Sequence, residues 1–365
     1  MTDTANAPGQ PRDLAELDRL ELEAALIEHG SERFRARQIF RWVYRRGVAN
    51  LEAMTDLPRD LRTTLTASFA LTTPKIDARE RSSDGTEKFL LRLADLRRIE
   101  TVFIPDTPGM TFCVSTQVGC AMACAFCLTG RMGLVRNLTA GEIVGQVRVL
   151  ATTLGLLGKT FNIVLMGMGE PLHNYDETMK ALRILSDEHG LALPSRRITL
   201  STVGLPPALA RLAREPTMPN LAISLHASTD SRRGELVPIN KKYGIAEVIE
   251  ACRRLPLKRR SRITFEYVLL AGVNDLPEDA RRLARLLSGI KSKINLIPLN
   301  PAAGIPFERP SDEAIDRFAR TLADAGMIVS VRKSRGRDIR AACGQLIVEG
   351  ERRAPGQRLA LAFHR

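Results

Sequence analysis

The chain has 365 residues, of which 44% are hydrophobic, so it is long enough for a large core and for more than one domain. Its formal net charge of +13 favours a polyanionic partner. No run of about 18 apolar residues and no apolar signal segment occurs, so we expect a cytoplasmic protein without a membrane anchor. In a reducing compartment the six cysteines are more typical of metal binding or catalysis than of disulfides.

The first hundred residues predict a small accessory domain. A polar segment, 1–12, precedes helical patterns at 13–29, 31–46 and 50–69. The second pattern begins at a Ser31 cap, ends at Gly47 and leaves a strongly basic face. Strand-like segments follow between 75 and 104, with a hairpin turn in the sequence SDG. We therefore assign residues 1–95 to an accessory domain of helices plus a β-hairpin.

From residue 111 onward, predicted strands and helices alternate. The strands are predicted at 111–119, 161–167, 197–204, 220–228, 262–272, 294–300 and 327–333. The helices are predicted at 139–156, 175–189, 206–214, 245–255, 277–289 and 311–325, the first opening on a Thr139–Glu142 capping box. This alternation indicates a parallel sheet with right-handed crossovers. We expect a complete or partial α/β barrel over residues 96–346 and a tail over 347–365.

Most polar motifs follow the ends of these strands. They are CAMACAFC (120–127), GMGEP (167–171), Ser201, SLHA (224–227) and PLNP (298–301). In a barrel of parallel strands, chemistry collects at the carboxyl ends. The pattern therefore predicts one site on one rim.

Cys120, Cys124 and Cys127 have the spacing C-x3-C-x2-C. A structural zinc site usually takes four ligands in two short pairs, and no second pair lies nearby. Closely spaced thiolates hold iron–sulfur clusters, and three of them leave one iron of a four-iron cluster open. Spacing alone leaves a zinc knuckle and buried free cysteines as alternatives.

Three cysteines lie outside this group. Cys252 falls in a helical pattern and is interpreted as core. Cys113 lies in the first barrel strand and is either a buried hydrophobe or a residue that reaches the open rim. Cys343 follows the last strand in the basic segment KSRGRDIRAACGQL, a setting that favours a nucleophilic thiol.

The three-cysteine spacing after the first strand resembles the radical S-adenosylmethionine (SAM) superfamily. GMGEP is similar to the glycine-rich motif by which that superfamily holds the SAM amino group. CAMACAFC, LTGRMGLVRNLT, IETVFIP, SLHA, PLNP and GRDIRAACGQL, with RFRARQIFRWVY and TDLPRDLR upstream, resemble the RlmN family nearly throughout the chain. The resemblance implies an α/β fold: a partial (β/α) barrel of radical SAM type with a small N-terminal helical and β-hairpin accessory domain.

That family methylates carbon 2 of adenine in 23S ribosomal RNA and in transfer RNA. The resemblance implies two SAM molecules per turnover and one [4Fe-4S] cluster bound by Cys120, Cys124 and Cys127. It further implies that Cys343 carries the methyl group, that Cys113 resolves the RNA adduct through a Cys113–Cys343 disulfide, and that Glu100 removes the C2 proton. An electron donor such as flavodoxin and a monomeric state complete the expectation.

The same resemblance implies a set of SAM contacts. They are Gly169, Glu170, Ser201, Ser224, Leu225, His226 and Asn300. Without the resemblance, a serine at a strand end commonly bonds its own backbone, and His226 could be a core histidine. Basic runs at 31–46, 253–260 and 331–340 make RNA binding plausible, although any one run could be a solvated face.

Two rival functions stay open. A close relative methylates carbon 8 of the same ribosomal adenine, confers antibiotic resistance and shares the cysteine set. A noncatalytic RNA-binding protein with a zinc or iron–sulfur site is the rival from another class.

Overall fold

The computed structural model describes residues 11–106 and 109–350. The predicted polar segment 1–12 and tail 347–365 lie mostly outside the described residues. No helix in these two ranges is long and apolar enough to cross a bilayer.

The N-terminal part is helical, as predicted, with shorter elements than the sequence patterns suggested. Its elements are β1 (Arg12–Asp13), α1 (Arg19–Glu28), α2 (Arg35–Phe40), α3 (Arg59–Ser68) and β2 (Phe69–Ala70). The predicted Ser31 cap was wrong, because the Ser31 N–H bonds the Leu26 carbonyl and thereby closes α1. The second helix therefore begins at Arg35 and continues as a π-helical turn over Arg41–Arg45.

One ten-stranded sheet organises the rest of the chain. Its strands are β3 (Lys75–Arg81), β4 (Glu87–Arg92), β5 (Arg98–Ile104), β6 (Thr111–Cys113), β9 (Asn162–Leu165), β10 (Ile198–Thr202), β11 (Asn220–Ser224), β12 (Ile263–Leu269), β13 (Ser292–Pro298) and β14 (Val329–Val331). The sheet order is β14-β13-β12-β11-β10-β9-β6-β5-β4-β3. The part from β6 to β14 is parallel, whereas β3, β4, β5 and β6 pair antiparallel.

Helices follow the parallel strands in the predicted alternation. They are α4 (Leu128–Met132), α5 (Ala140–Thr153), α6 (Tyr175–Ser186), α7 (Pro206–Leu212), α8 (Asp230–Leu236), α9 (Ile245–Arg253), α10 (Pro277–Leu287) and α11 (Asp312–Asp324). The predicted capping box is confirmed, since the Glu142 N–H donates to Thr139 Oγ1 and the Thr139 N–H donates to Glu142 Oε2. In strands such as β9 and β10 buried residues alternate with half-buried ones, so one face packs against the helices and the other faces the interior of the barrel.

The predicted first barrel strand, 111–119, was wrong as a single element. It is divided into β6 and β7 (Gln117–Gly119), and β7 forms a separate hairpin with β8 (Leu134–Asn137). The break occurs at Ser115, whose N–H donates to the side chain of Gln146 and whose hydroxyl donates to the Glu100 carbonyl. These bonds replace sheet pairing and redirect the chain toward the cysteine loop.

The helical part docks onto the barrel through polar contacts. The Gly141 N–H at the start of α5 donates to Glu16 Oε2 at 2.9 Å, and Arg19 pairs with Asp187 at 2.8 Å. Strands β4 and β5 lie on either side of residue 95 and are hydrogen-bonded to each other. The sheet is therefore continuous across the predicted domain boundary. The domain limits 1–95, 96–346 and 347–365 stay predictions.

The chain after β14 joins the two ends of the sheet. We call residues 332–348 the closing segment. Its Gly336 N–H donates to Asp84 in the β3–β4 turn, and Ser82 in the same turn donates to Asp338 at 2.5 Å. The segment then passes the cysteine loop, where the Leu128 N–H donates to the Gly344 carbonyl at 2.8 Å. It therefore brings Cys343 next to the cysteine loop.

Candidate active site

The inside of the barrel is open, and two adjoining cavities occupy it. The carboxyl-end cavity, of about 160 Å³, is lined by the cysteine loop, GMGEP and the ends of the strands. The amino-end cavity, of about 520 Å³, is lined by the first halves of the same strands. Alternate residues along four strands line one cavity or the other, and Met166, Glu266 and Ile297 line both. The residues are Asn162, Val164, Met166; Thr199, Ser201; Thr264, Glu266, Val268; Lys293, Asn295, Ile297, Leu299. The period of two is that of β-strands, so the two cavities form one lumen.

Cys120, Cys124 and Cys127 all line the carboxyl-end cavity. Their loop is fixed by close backbone approach: a Cβ on Gly119, at φ +77°, would lie 1.8 Å from the Gly133 carbonyl oxygen. The Cys120 N–H donates to that same carbonyl at 3.0 Å. Glycine at 119 is therefore required for the turn that presents the first cysteine.

The three thiols that line this cavity are the kind of donor that an iron–sulfur cluster uses. In a four-iron cluster each thiolate binds a different iron, so its ligands stand apart around a common space. Burial, then the negative charges of Cys127 and Cys120, hold the pKa of Cys124 well above its usual range. A cationic group placed between them would relieve this repulsion, so the donor set fits an iron–sulfur cluster.

GMGEP forms the floor beside these cysteines. Gly169 has φ +108°, and a Cβ there would lie 2.7 Å from Gln117. The carboxylate of Glu170 accepts the N–H groups of Leu172 at 3.0 Å and Val203 at 2.9 Å. Burial raises the pKa of Glu170 to about 7, and these bonds oppose the rise. The motif therefore presents a buried carboxyl group at the cavity wall.

The predicted hydroxyl and imidazole groups lie opposite. Ser201 Oγ and Ser224 Oγ are 3.4 Å apart, and both line the carboxyl-end cavity with His226. His226 Nδ1 accepts the Val268 N–H at 3.1 Å, and burial lowers the pKa of His226 to about 3, so the ring is neutral. Asn300 lines both cavities. Leu225, fully buried, does not line either of them.

The structure brings the two outlying cysteines together. Cys343 lines both cavities, and Cys113 lines the amino-end cavity beside it. Burial, and next the negative charge of Cys343, raise the pKa of Cys113 to about 12. Two residues 230 positions apart in sequence thus share one space at the middle of the lumen. Cys252, in contrast, is buried in α9.

Two charged residues at this point were not singled out from the sequence. Arg332 donates a side-chain hydrogen bond to Cys343, and the negative charge of Cys343 raises the pKa of Arg332. Glu266 lines both cavities and accepts from Asn295 Nδ2 at 2.8 Å. Glu266 is the one carboxylate in the otherwise mostly apolar strand ITFEYVL. A single charged residue in such a strand could have been predicted from the sequence to face a functional cavity. Arg332 was hidden within a basic run.

Glu100 is held next to the lumen and does not line either cavity. Its carboxylate pairs with Lys88 Nζ at 3.0 Å and accepts the Ile347 N–H at 2.8 Å. Burial raises the pKa of Glu100, and Lys88 opposes the rise. Ile347 follows Leu346, which lines both cavities, so Glu100 is one residue behind the wall.

The three predicted basic runs differ in position. The run 331–340 reaches the amino-end cavity through Arg332, Lys333 and Arg335. The run 31–46 lies on α2 and its π-helical extension, where the Arg45 Nε donates to the Gly190 carbonyl. The run 253–260 lies between α9 and β12.

Comparisons with known proteins agree with this geometry. Residues 114–287 match the model of the radical SAM superfamily, and residues 12–71 match that of the ribosomal RNA large subunit methyltransferase N-terminal domain. A "Dual-specificity RNA methyltransferase RlmN" of Geobacter sulfurreducens is 52% identical, with 89% of each chain covered. A protein of the same name from Anaeromyxobacter dehalogenans is 48% identical, with 96% of each covered.

A solved structure is also similar. A radical SAM methyltransferase from Sphaerobacter thermophilus superposes with a TM-score of 0.87 at 50% identity. The match covers 92% of this chain and 99% of the other.

Proposed function

The chain belongs to the RlmN family of radical SAM RNA methyltransferases, and from that premise we propose that it methylates carbon 2 of adenine in 23S ribosomal RNA and in transfer RNA. The observation that carries the proposal is the meeting of Cys113 and Cys343 in a lumen that also holds the three-cysteine loop. A simple methyl transfer would need neither outlying cysteine.

The cofactors assigned to the site are one [4Fe-4S] cluster on Cys120, Cys124 and Cys127, and SAM. When bound, the cluster supplies the electron that splits SAM into methionine and a deoxyadenosyl radical. The SAM contacts proposed are Gly169, Glu170, Ser201, Ser224, His226 and Asn300. Leu225, predicted together with them, lines neither cavity, and its backbone N–H and carbonyl are bonded to Glu266 and Arg233. Carboxyl, hydroxyl and amide groups suit an amino acid and a ribose.

Cys343 is the proposed methyl carrier. Its position in both cavities lets it take a methyl group from SAM and present it, after hydrogen abstraction, to adenine. Carbon 2 of adenine is electron-poor and a poor nucleophile, so bond formation there needs a carbon radical. The RNA is then linked through a methylene group to the sulfur of Cys343.

Cys113 and Glu100 are proposed to complete the reaction. Glu100 accepts the proton from C2, a role that suits a carboxylate whose pKa is raised by burial. The Cys113 thiolate attacks the sulfur of Cys343, a sulfur–sulfur bond forms and the sulfur–carbon bond breaks. The released carbon takes up a proton and becomes the methyl group on adenine, and the unpaired electron of the adduct would return to the bound cluster. The resulting disulfide must be reduced before the next cycle, and a donor such as flavodoxin would supply the electrons.

The remaining parts of the proposal concern the whole protein. Residues 1–95 form an RNA-binding accessory domain, residues 96–346 the catalytic core and residues 347–365 a tail. Ribosomal and transfer RNA place the enzyme in the cytoplasm. It acts as a monomer, because one chain supplies every residue named here.

The deciding experiment is nucleoside analysis of RNA after reaction with the reconstituted protein. We expect 2-methyladenosine in both RNAs, identified by mass spectrometry against standards. Formation of 8-methyladenosine alone would favour the C8-methylating relative. A colourless, zinc-only protein that leaves SAM intact would favour the noncatalytic alternative.

A further inference from the structure

Resting on the proposed RNA methylation, we propose that RNA enters the lumen from its amino end. Arg196, Lys293 and Lys333 surround that mouth and hold phosphates on either side of the target nucleotide. The adenine would then reach Cys343 from the side opposite to SAM. This assigns a phosphate-binding site and an entry route to one end of the barrel.

The first support is the shape of the lumen. The interior of a closed eight-stranded barrel is normally filled by side chains. Here the amino-end half holds a cavity of about 520 Å³, larger than the 160 Å³ at the carboxyl end. A base that undergoes chemistry has to leave its stack and enter a pocket, and the amino-end half has that room.

The second support is the division of residue types along the lumen. The carboxyl end carries the cysteine loop and the buried Glu170, which are the residues proposed to hold the cluster and SAM. Cys343 lines both cavities, whereas Cys113 lines the amino-end cavity. The sulfur of Cys343 has to react first with SAM and then with adenine. Both ligands can reach it without displacing each other if they approach from opposite ends of the lumen.

The third support is charge. Arg196, Lys293 and Lys333 line the amino-end cavity and are exposed, so the cavity opens to solvent where they lie. None of the three forms an ion pair with a carboxylate in the described part of the chain. Unpaired cations around an opening attract a phosphate backbone.

Two further arginines strengthen this mouth. Arg197 donates to Asn162 Oδ1 at 3.1 Å, and the buried Nε of Arg335 has no hydrogen-bond partner. Among the described residues that line the cavity, Glu266 is the one carboxylate. Burial raises its pKa, and the charges of Arg332 and Lys293 oppose the rise. The mouth is therefore strongly positive overall.

Lysine 291 provides a matched control. Lys291 and Lys293 are both exposed and two positions apart, but only Lys293 lines the cavity. We expect Lys293→Ala, Arg196→Ala and Lys333→Ala each to raise the KM for an RNA hairpin about tenfold. The salt dependence of RNA binding should become shallower by about one unit of log–log slope for each variant. Lys291→Ala should leave both quantities at the wild-type value, and cleavage of SAM should be unchanged throughout.

A steric variant tests the route itself. Thr264 and Val268 are four residues apart on the same face of β12. Thr264 faces the amino-end cavity, and Val268 faces the carboxyl-end cavity. Thr264→Phe should abolish RNA methylation while Cys343 still gains a methyl group from SAM, as read by peptide mass. Val268→Phe should instead reduce methylation of Cys343. If Thr264→Phe fails to bind iron, the smaller substitution Thr264→Leu takes its place as the test of the route.

The outcomes separate this proposal from the proposed function. Wild-type protein that yields no 2-methyladenosine contradicts the function. Wild-type activity together with the same KM and salt slope in the Lys293 and Lys291 variants contradicts the phosphate site alone. RNA methylation by Thr264→Phe at the wild-type rate contradicts the entry route.

Discussion

Lys88 Nζ lies 3.0 Å from Glu100 Oε1, and both side chains are almost completely buried. Lys88 belongs to the predicted accessory hairpin and Glu100 to the strand that follows it. Lys88, in one predicted domain, thus lowers the pKa of Glu100, a proposed catalytic residue in the other.

Lys88→Met should shift the pH profile of RNA methylation. Burial already raises the pKa of Glu100, and loss of the lysine charge would raise it further. A base works in its deprotonated form, so activity on the acid side should appear only at a higher pH than in the wild type. Breaking a buried pair also costs about 3 to 5 kcal/mol of stability. Rates across pH, measured below the melting temperature of the variant, test the shift. If the rate of RNA methylation at low pH depends on pH in the same way in the variant and the wild type, Glu100 is not the base.

Cys113→Ala should arrest the reaction after the RNA is attached. Without the attacking thiolate, the sulfur–carbon bond of the adduct has no partner to break it. We expect a covalent RNA adduct on Cys343, seen by mass spectrometry of the intact and digested protein. Normal turnover by an adduct-free variant would disprove the two-cysteine scheme.

Cys124→Ala should lose iron, whereas Cys252→Ala should keep it. Cys124 lines the carboxyl-end cavity, and Cys252 packs in α9. Both substitutions remove one thiol, so iron and sulfide content and the visible spectrum after anaerobic reconstitution give a matched comparison. Equal iron in the two variants would argue against a cluster on the loop.

Arg332→Met should slow methylation of Cys343 in the absence of RNA. The guanidinium donates to Cys343, and a hydrogen bond to a charged group contributes roughly 1.5 to 3 kcal/mol. We expect a decrease of about ten- to a hundredfold, with partial recovery in Arg332→Lys, which keeps the charge. The single-turnover rate of methyl uptake by Cys343 measures it. Equal rates in all three proteins would limit Arg332 to packing.

Gly119→Ala should damage the cysteine loop more than Gly30→Ala damages the end of α1. Both glycines have similar positive φ angles, +77° and +71°, so the backbone strain of alanine is comparable, about 1 to 2 kcal/mol. At Gly119 the added Cβ would meet the Gly133 carbonyl at 1.8 Å, whereas at Gly30 nothing lies within 4 Å. Thermal melts and iron content should both fall for Gly119→Ala, and only the melt, slightly, for Gly30→Ala.

The order of strands and helices in the barrel could be predicted because each strand is a short apolar run followed by an amphipathic helix. The break at Ser115 could not, since it depends on bonds to Gln146 and Glu100, whose proximity only the fold creates. The same applies to Arg332: nothing in a run of basic residues marks the one that meets Cys343. The cysteine loop, in contrast, is local, so its spacing could predict that the three thiols lie together at one site, although spacing alone left the identity of the metal open.

The closing segment also determines when the site is completed. Its contacts to Thr129 and Ser82 join residues 217 and 256 positions apart. Such distant contacts form late in folding, and a chain is synthesised from its N-terminus. The cysteine loop therefore leaves the ribosome before Cys343 is synthesised, so the loop is made well before the residue that lies against it.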